Sequence, residues 1–210
     1  MRKPESVRSL ENLGRVRLSP NFYMRDFLHS EVADFYGLSN IPDDPDLAIE
    51  VGKKLCRELL EPLEQQFGRL AIRSAYRSCE VNDFCNRKKL NCAKNESNYA
   101  GHIWDRLDEN GNKGATACIA IPSFADYLDD GGDWRELAWY IHDTFPYSSL
   151  YFFPALGAFN ISWSEAPERS IGSYIPPKGN LTKQGMSNNT GDHSECYRKS
   201  PFINSRIHGG

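Results

Sequence analysis

The sequence predicts an α+β domain with a small, mostly antiparallel sheet flanked by helices. Three observations carry this expectation. Leu47, Val51, Leu55, Leu59 and Leu63 recur at every fourth position, which puts one apolar stripe along a helix. The runs RLAIRSA (69–75), SSLYFF (148–153) and GAFNISW (157–163) are short, apolar or aromatic, and read as strands. Asn110-Gly111, inside the stretch GHIWDRLDENGNKGATACIAIP, carries the residue pair of a type I′ turn and predicts a β-hairpin.

Taken along the chain, residues 1–18 read as a polar N-terminal arm. Ser19, Pro20 and Gly37 frame a helix as cap, first-turn proline and stop, with Phe22, Phe27 and Phe35 available to a core. The leucine-striped helix should bend at Pro62 and end at Gly68. After the hairpin, SFADYL and DWRELAWYIHDTF read as helices, the second capped by Asp133. Residues 19–163 form the expected domain. Residues 164–210 are rich in Pro, Gly, Ser and Asn and read as an irregular C-terminal tail that packs on it through apolar anchors such as Tyr174, Ile175 and Phe202.

Composition narrows the function. The chain has 210 residues, 40% hydrophobic and 25% charged, enough for one domain with a sizeable core. A net charge of -3, with no Lys/Arg-dominated face, argues against nucleic acid as a partner. No apolar run reaches membrane-spanning length, and the N-terminus lacks an apolar leader segment, so the expected compartment is the cytoplasm. The six cysteines are then expected to be mostly reduced. Cys79, Cys85 and Cys92 include no CxxC pair, which disfavours a zinc knuckle.

The chemistry concentrates around the predicted hairpin. Its register makes His102 a cross-strand neighbour of position 118 or 119, and so of Cys118. The order NFYMRDFLHSE, LLEPLEQQFGRLAIRSAYRS, a histidine segment, GATACI and FNISW resembles the D-alanyl-D-alanine carboxypeptidase family of zinc peptidases, over about residues 19–163. That family shares its fold with the L-alanyl-D-glutamate endolysins and the Hedgehog signalling domain. The resemblance implies a Hedgehog-like fold, a zinc ion and a peptide or peptidoglycan-like substrate. His102 matches the family's first zinc histidine, Cys118 stands where its aspartate belongs, and Asn160 stands where its second histidine belongs. Gly157 falls at the general base, and Arg77 matches the arginine that polarises the substrate carbonyl.

Three chemistries are compatible with these residues, with metal-dependent hydrolysis the expected one and the other two its alternatives. In the first, zinc held by His102, Cys118 and Asn160 hydrolyses a peptide or amide bond, with Asp105, Asp192 or His193 supplying the missing donor strength. In the second, Cys118, His102 and Asn160 form a Cys-His-Asn thiol hydrolase, with Arg77 near the oxyanion. In the third, the cleft binds a peptide or protein without catalysis. Asp108, Asn110 and Asn112 faintly resemble a calcium loop, although a solvated turn explains them better. His142-Asp143 reads as the complement to a helix C-terminus.

Overall fold

The computed structural model of the chain describes residues 1–207. It is an α+β fold around one six-stranded sheet. The helices are α1 (Val7–Gly14), α2 (Arg25–Leu28), α3 (Glu31–Tyr36), α4 (Pro45–Leu55), α5 (Glu61–Phe67), α6 (Cys79–Arg87), α7 (Pro122–Asp129), α8 (Trp134–Thr144) and α9 (Pro201–Ile207). The strands are β1 (Ala71–Ser74), β2 (Gly114–Ala120), β3 (Ser149–Phe152), β4 (Phe159–Ser164), β5 (Ser170–Ser173) and β6 (Gly179–Thr182), in the order β1-β2-β4-β3-β5-β6.

The leucine stripe folds as expected, with one adjustment. An α-helix turns every 3.6 residues, so a strict spacing of four drifts around its surface. A π-helical turn at Cys56–Leu60 separates α4 from α5 and absorbs that drift. Val51, Leu55, Leu59 and Leu63 are all fully buried as a result. Burying each contributes about 1.5–3 kcal/mol. Pro62 sits in the first turn of α5, where a missing N–H is tolerated, and Gly68 ends the helix with φ +82°. The helix predicted over 19–37 is instead broken into α2 and α3. Ser19 does not cap it, because its hydroxyl donates to Glu61 Oε1 at 2.7 Å, while Ser30 caps α3. Gly37 closes α3 in the left-handed region, and Phe35 is 80% exposed rather than in the core.

The sheet is mixed, not mostly antiparallel. β1-β2, β2-β4, β3-β4 and β5-β6 run antiparallel, but β5 lies parallel to β3. β4 occupies one edge of β3, so the chain leaving β4 crosses the end of β3 and pairs along its free edge. Arg169 anchors this crossing. Its guanidinium donates to the carbonyls of His142, Phe145 (2.8 Å) and Tyr147 (3.4 Å), at and beyond the C-terminal end of α8. Residues 164–207, read from sequence as an irregular tail, thus supply two strands and α9; residues 208–210 lie outside the described residues. Phe202 and Ile203 of α9 join the main core. The expected N-terminal arm contains α1, opened by a Ser6/Ser9 capping box, and buries Leu13 and Leu18. Among the described residues, no helix is long and apolar enough to cross a membrane.

One face of the sheet makes the core. Ala115, Ala117 and Ile119 of β2, Phe159, Ile161 and Trp163 of β4, and Leu150 and Phe152 of β3 all point there. The alternate residues form the other face, which is polar at Thr116, Ser149, Tyr151, Asn160, Ser162 and Ser164. Period-two alternation in GATACIA, SLYF and FNISWS creates this split.

The predicted hairpin is absent. β2 has two edges, one taken by β4 and the other by β1 across Cys118–Ala120. Residues 99–113 therefore form a compact loop instead of a strand. The loop meets β2 only beyond the end of β1, where Thr116 N donates to Gly101 O at 3.0 Å. The Asn-Gly turn exists within it, with Gly111 at φ +83°. The Asp108 carboxylate accepts from Asn110 N, Asn112 N and Asn112 Nδ2, so the resemblance to a calcium loop is accounted for by a self-satisfied turn.

The loop packs tightly onto the start of β2. A Cβ at Gly114 would lie 2.2 Å from Ala100 O, a backbone atom that cannot yield easily. Gly114→Ala should therefore displace the loop and cost about 1–3 kcal/mol, as overpacking does. Urea unfolding will read this; a cost within 0.5 kcal/mol, roughly the scatter of surface changes, would show that the loop is not so constrained.

Candidate functional site

The polar sheet face is built from two cross-strand rows. Register aligns Thr116, Ser162, Ser149 and Ser170 across β2, β4, β3 and β5. Thr116 Oγ1 and Ser162 Oγ are 2.7 Å apart, and Ser149 Oγ donates to Ser162 Oγ at 3.0 Å. The next row aligns Cys118, Asn160, Tyr151 and Gly172. The Tyr151 ring lies against Gly172, where a Cβ would come within 2.7 Å of it. Tyr151 also packs edge-on against Tyr174, with centroids 5.0 Å apart. Over this floor lies a cleft of about 590 Å³, walled by the 96–102 and 108–110 segments on one side and by the 164–168 crossing on the other.

His102 enters the cleft from the loop and is held rigidly. The strand extension after β1 grips it: its Nδ1 lies 2.7 Å from Ala75 O, and Arg77 N donates to its carbonyl at 2.8 Å. A carbonyl can only accept, so Nδ1 carries the proton and Nε2 is left with a bare lone pair. Nε2 makes no hydrogen bond with any described residue. Burial, reinforced by the Arg77 charge, lowers the ring's pKa to about 3, so it is neutral at physiological pH.

Cys118 and Asn160 face each other across β2 and β4 on the same side of the sheet. Asn160 lines the cleft with His102; Cys118 and Arg77 are not among its lining residues. Arg77 lies close enough for its charge to act on both His102 and Cys118, while its Nη1 donates to Cys92 Sγ at 3.2 Å. No hydrogen bond joins Cys118 to His102. Burial pushes the Cys118 thiol above its usual range, and the Arg73 and Arg77 charges offset only part of that. A nucleophilic cysteine needs the opposite environment. Iodoacetamide at neutral pH should accordingly modify the exposed Cys196 well before Cys118, as peptide mass mapping would reveal; prior modification of Cys118 would restore the thiol-hydrolase reading.

The other predicted ligands lie elsewhere. Asp105 is 3% exposed and structural: it accepts from Asp43 N (2.7 Å), Asp44 N (3.3 Å) and Tyr76 Oη (3.3 Å). Asp192 is exposed and accepts from Ser194 N and Oγ. His193 packs against α8 with its Nδ1 2.7 Å from Asp143 Oδ1. Neither Asp192 nor His193 lines the cleft. Gly157, at the expected base position, has φ +55° and no side chain to offer.

The donor set around His102 does not fit a catalytic zinc. Of the predicted ligands only His102 and Asn160 line the cleft, and one imidazole with one amide oxygen falls short of three strong ligands with a base beside them. Among the described residues, the one group of three His, Cys, Asp or Glu side chains with donor atoms within 4.8 Å of one another is His142, Asp143 and His193. Sequence reasoning noted the His142-Asp143 pair and His193 separately. Their meeting depends on the path of the C-terminal segment, which no local pattern encodes.

The hydroxyl row was also missed, although the alternation of Ser and Thr with apolar residues in β2, β3 and β4 encoded it. No protein-family model, curated protein or solved structure matches the chain.

Proposed function

We propose that the chain is a peptide-binding domain of D-alanyl-D-alanine carboxypeptidase-like, Hedgehog-like architecture, whose cleft takes a peptide or peptidoglycan-like ligand without zinc-dependent hydrolysis. The observation that carries this reading is the composition of the cleft. Hydroxyls, amides and aromatic rings occupy the sheet floor where a metallopeptidase needs metal donors. The order of the histidine loop, β2 and β4, with Cys118 opposite Asn160, supports the resemblance.

The floor suits a ligand rich in amide groups. Ser and Thr hydroxyls both donate and accept, and Asn160 offers two donors and an acceptor. His102 Nε2 is a fixed acceptor for a ligand N–H. Glu96, Asp108, Glu109 and Glu168 line the walls, and no lysine or arginine does. The cleft therefore favours a peptide carrying a free amine over an anionic ligand. The same charge disfavours nucleic acid.

The test is to incubate the full chain with an amine-bearing peptide ending in D-Ala-D-Ala, with and without added zinc. Mass spectrometry should find the peptide intact in both cases. Calorimetry should detect binding that Tyr151→Ala weakens at least about tenfold, the loss of a well-packed aromatic contact. Zinc-dependent release of D-alanine would establish the metallopeptidase reading instead. Absence of both binding and cleavage would sink both.

A further inference from the structure

The second concentration of chemistry lies where residues 188–197 fold against the end of α8. His142 and Asp143 come from the last turn of that helix, and His193 comes from the segment before Cys196. One donor atom from each lies within 4.8 Å of the other two.

Each of the three side chains is oriented by further groups. His142 is 4% exposed; its Nδ1 is 2.6 Å from Tyr147 Oη and its Nε2 is 3.1 Å from Asn189 O. The His193 ring stacks on Trp139, with centroids 4.2 Å apart and planes 10° from parallel. Asp143 Oδ2 accepts from His193 N (2.9 Å) and Tyr197 Oη (3.1 Å), which leaves Oδ1 directed at His193 Nδ1. Such supporting contacts fix ligand orientation in metal sites.

The two imidazoles face an excess of acceptors. His193 meets Asp143 Oδ1 through Nδ1 at 2.7 Å and Asn188 O through Nε2 at 3.0 Å, so each ring nitrogen faces an oxygen. His142 Nε2 also meets a carbonyl. A cation between the rings would meet Asp143 Oδ1 and one nitrogen of each histidine. Arg169, the neighbouring cation, is engaged with three carbonyls and with the face of Tyr147, 4.4 Å away. A cleft of about 480 Å³ opens beside His142, Asp143 and Asp192, with room for water to complete a coordination shell.

We propose that His142, Asp143 and His193 bind a divalent transition metal, zinc by its preference for imidazole and carboxylate, and so tie the C-terminal segment to α8. Binding gives each histidine one nitrogen–metal bond. On His193 the ring keeps one proton at Nε2, which Asn188 O accepts, and any second proton leaves to solvent. The His142 proton moves to Nδ1, where Tyr147 Oη accepts it. This site is separate from the cleft and does not rest on the peptide-binding reading.

The test uses the full chain stripped with chelator. It is titrated with zinc by calorimetry and with cobalt by visible absorption. One equivalent should bind, and the melting temperature should rise with zinc. His193→Gln and Asp143→Asn should abolish the cobalt spectrum, and Tyr147→Phe should weaken binding about 10–100-fold, the usual cost of losing such a supporting contact. His102→Ala and the double variant Cys85→Ser/Cys92→Ser should leave the stoichiometry unchanged. Wild-type protein that binds neither metal overturns the proposal, as does binding that survives His193→Gln or disappears with the cysteines. If His193→Gln fails to fold, Tyr147→Phe and the wild-type titrations decide.

Discussion

Asp105→Ala is expected to cost about 3–5 kcal/mol of folding free energy, the range found when one partner is removed from a buried charged cluster. The Asp105 side chain is 1% exposed, and its carboxylate gathers Asp43 N, Asp44 N and Tyr76 Oη, with Arg106 alongside. Truncation strands the buried Tyr76 hydroxyl and takes the acceptor from Asp43 N and Asp44 N. It also frees the loop that carries His102 from the segment leading into α4, so ligand binding should fall with stability. Asp43→Ala, which removes half-exposed ion pairs with Lys3 and Arg106, is the comparison and should cost no more than about 1 kcal/mol. Urea unfolding of both variants at pH 7 checks this. Equal costs would mean that Asp105 is not the anchor.

The second large effect is a dependence of stability on pH that belongs to His102. The folded state holds this imidazole neutral, with its pKa lowered from 6.5 to about 3. The unfolded chain takes up a proton near pH 6.5. Between these values the unfolded state binds more protons, so stability declines as pH falls. The contribution is fully present above about pH 6.5 and is lost toward pH 3 at up to about 1.4 kcal/mol per pH unit. Between pH 6.5 and 4 that amounts to about 3 kcal/mol. Other groups titrate in this range, so the measured quantity is the difference between wild type and His102→Gln. That difference should shrink steadily as pH falls. A difference independent of pH would show that the ring is not held neutral.

Much of this was legible in the residues, and what was not has physical causes. The helix over 45–67 was readable because five apolar residues repeat along one face and Gly68 stops the chain. α8 was readable from Asp133, whose carboxylate accepts from Arg135 N at 2.9 Å. The hairpin was misread because Asn110-Gly111 is a local signal, whereas strand pairing is settled by competition for the edges of β2, and β1 holds the contested one. β5 and β6 were missed because each is four residues long, SIGS and GNLT, with a single apolar side chain, so neither offers a hydrophobic run.

The candidate site divides in the same way. His102 and Asn160 line one cleft, while Cys118 opposes Asn160 without lining it. Cys118 and Asn160 meet through the β2–β4 register rather than through the hairpin first inferred. The hydroxyl row, a larger part of the cleft floor than any predicted ligand, was present in the alternation of three strands. It became visible only once their registers were known.

The central claim is that the polar sheet face binds peptide with His102 as a hydrogen-bond acceptor and not as a zinc ligand. The most direct test is the ¹⁵N spectrum of the His102 ring in the full chain, titrated with the amine-bearing D-Ala-D-Ala peptide and then with excess zinc. The account predicts a protonated Nδ1 and a bare Nε2 in the free protein. On adding peptide, the Nε2 resonance should shift toward hydrogen-bonded values, the amides of Tyr151 and Asn160 should move with it, and zinc should change neither. A His102 ring that ignores the peptide, or an Nε2 that zinc captures while the peptide is cleaved, would contradict it.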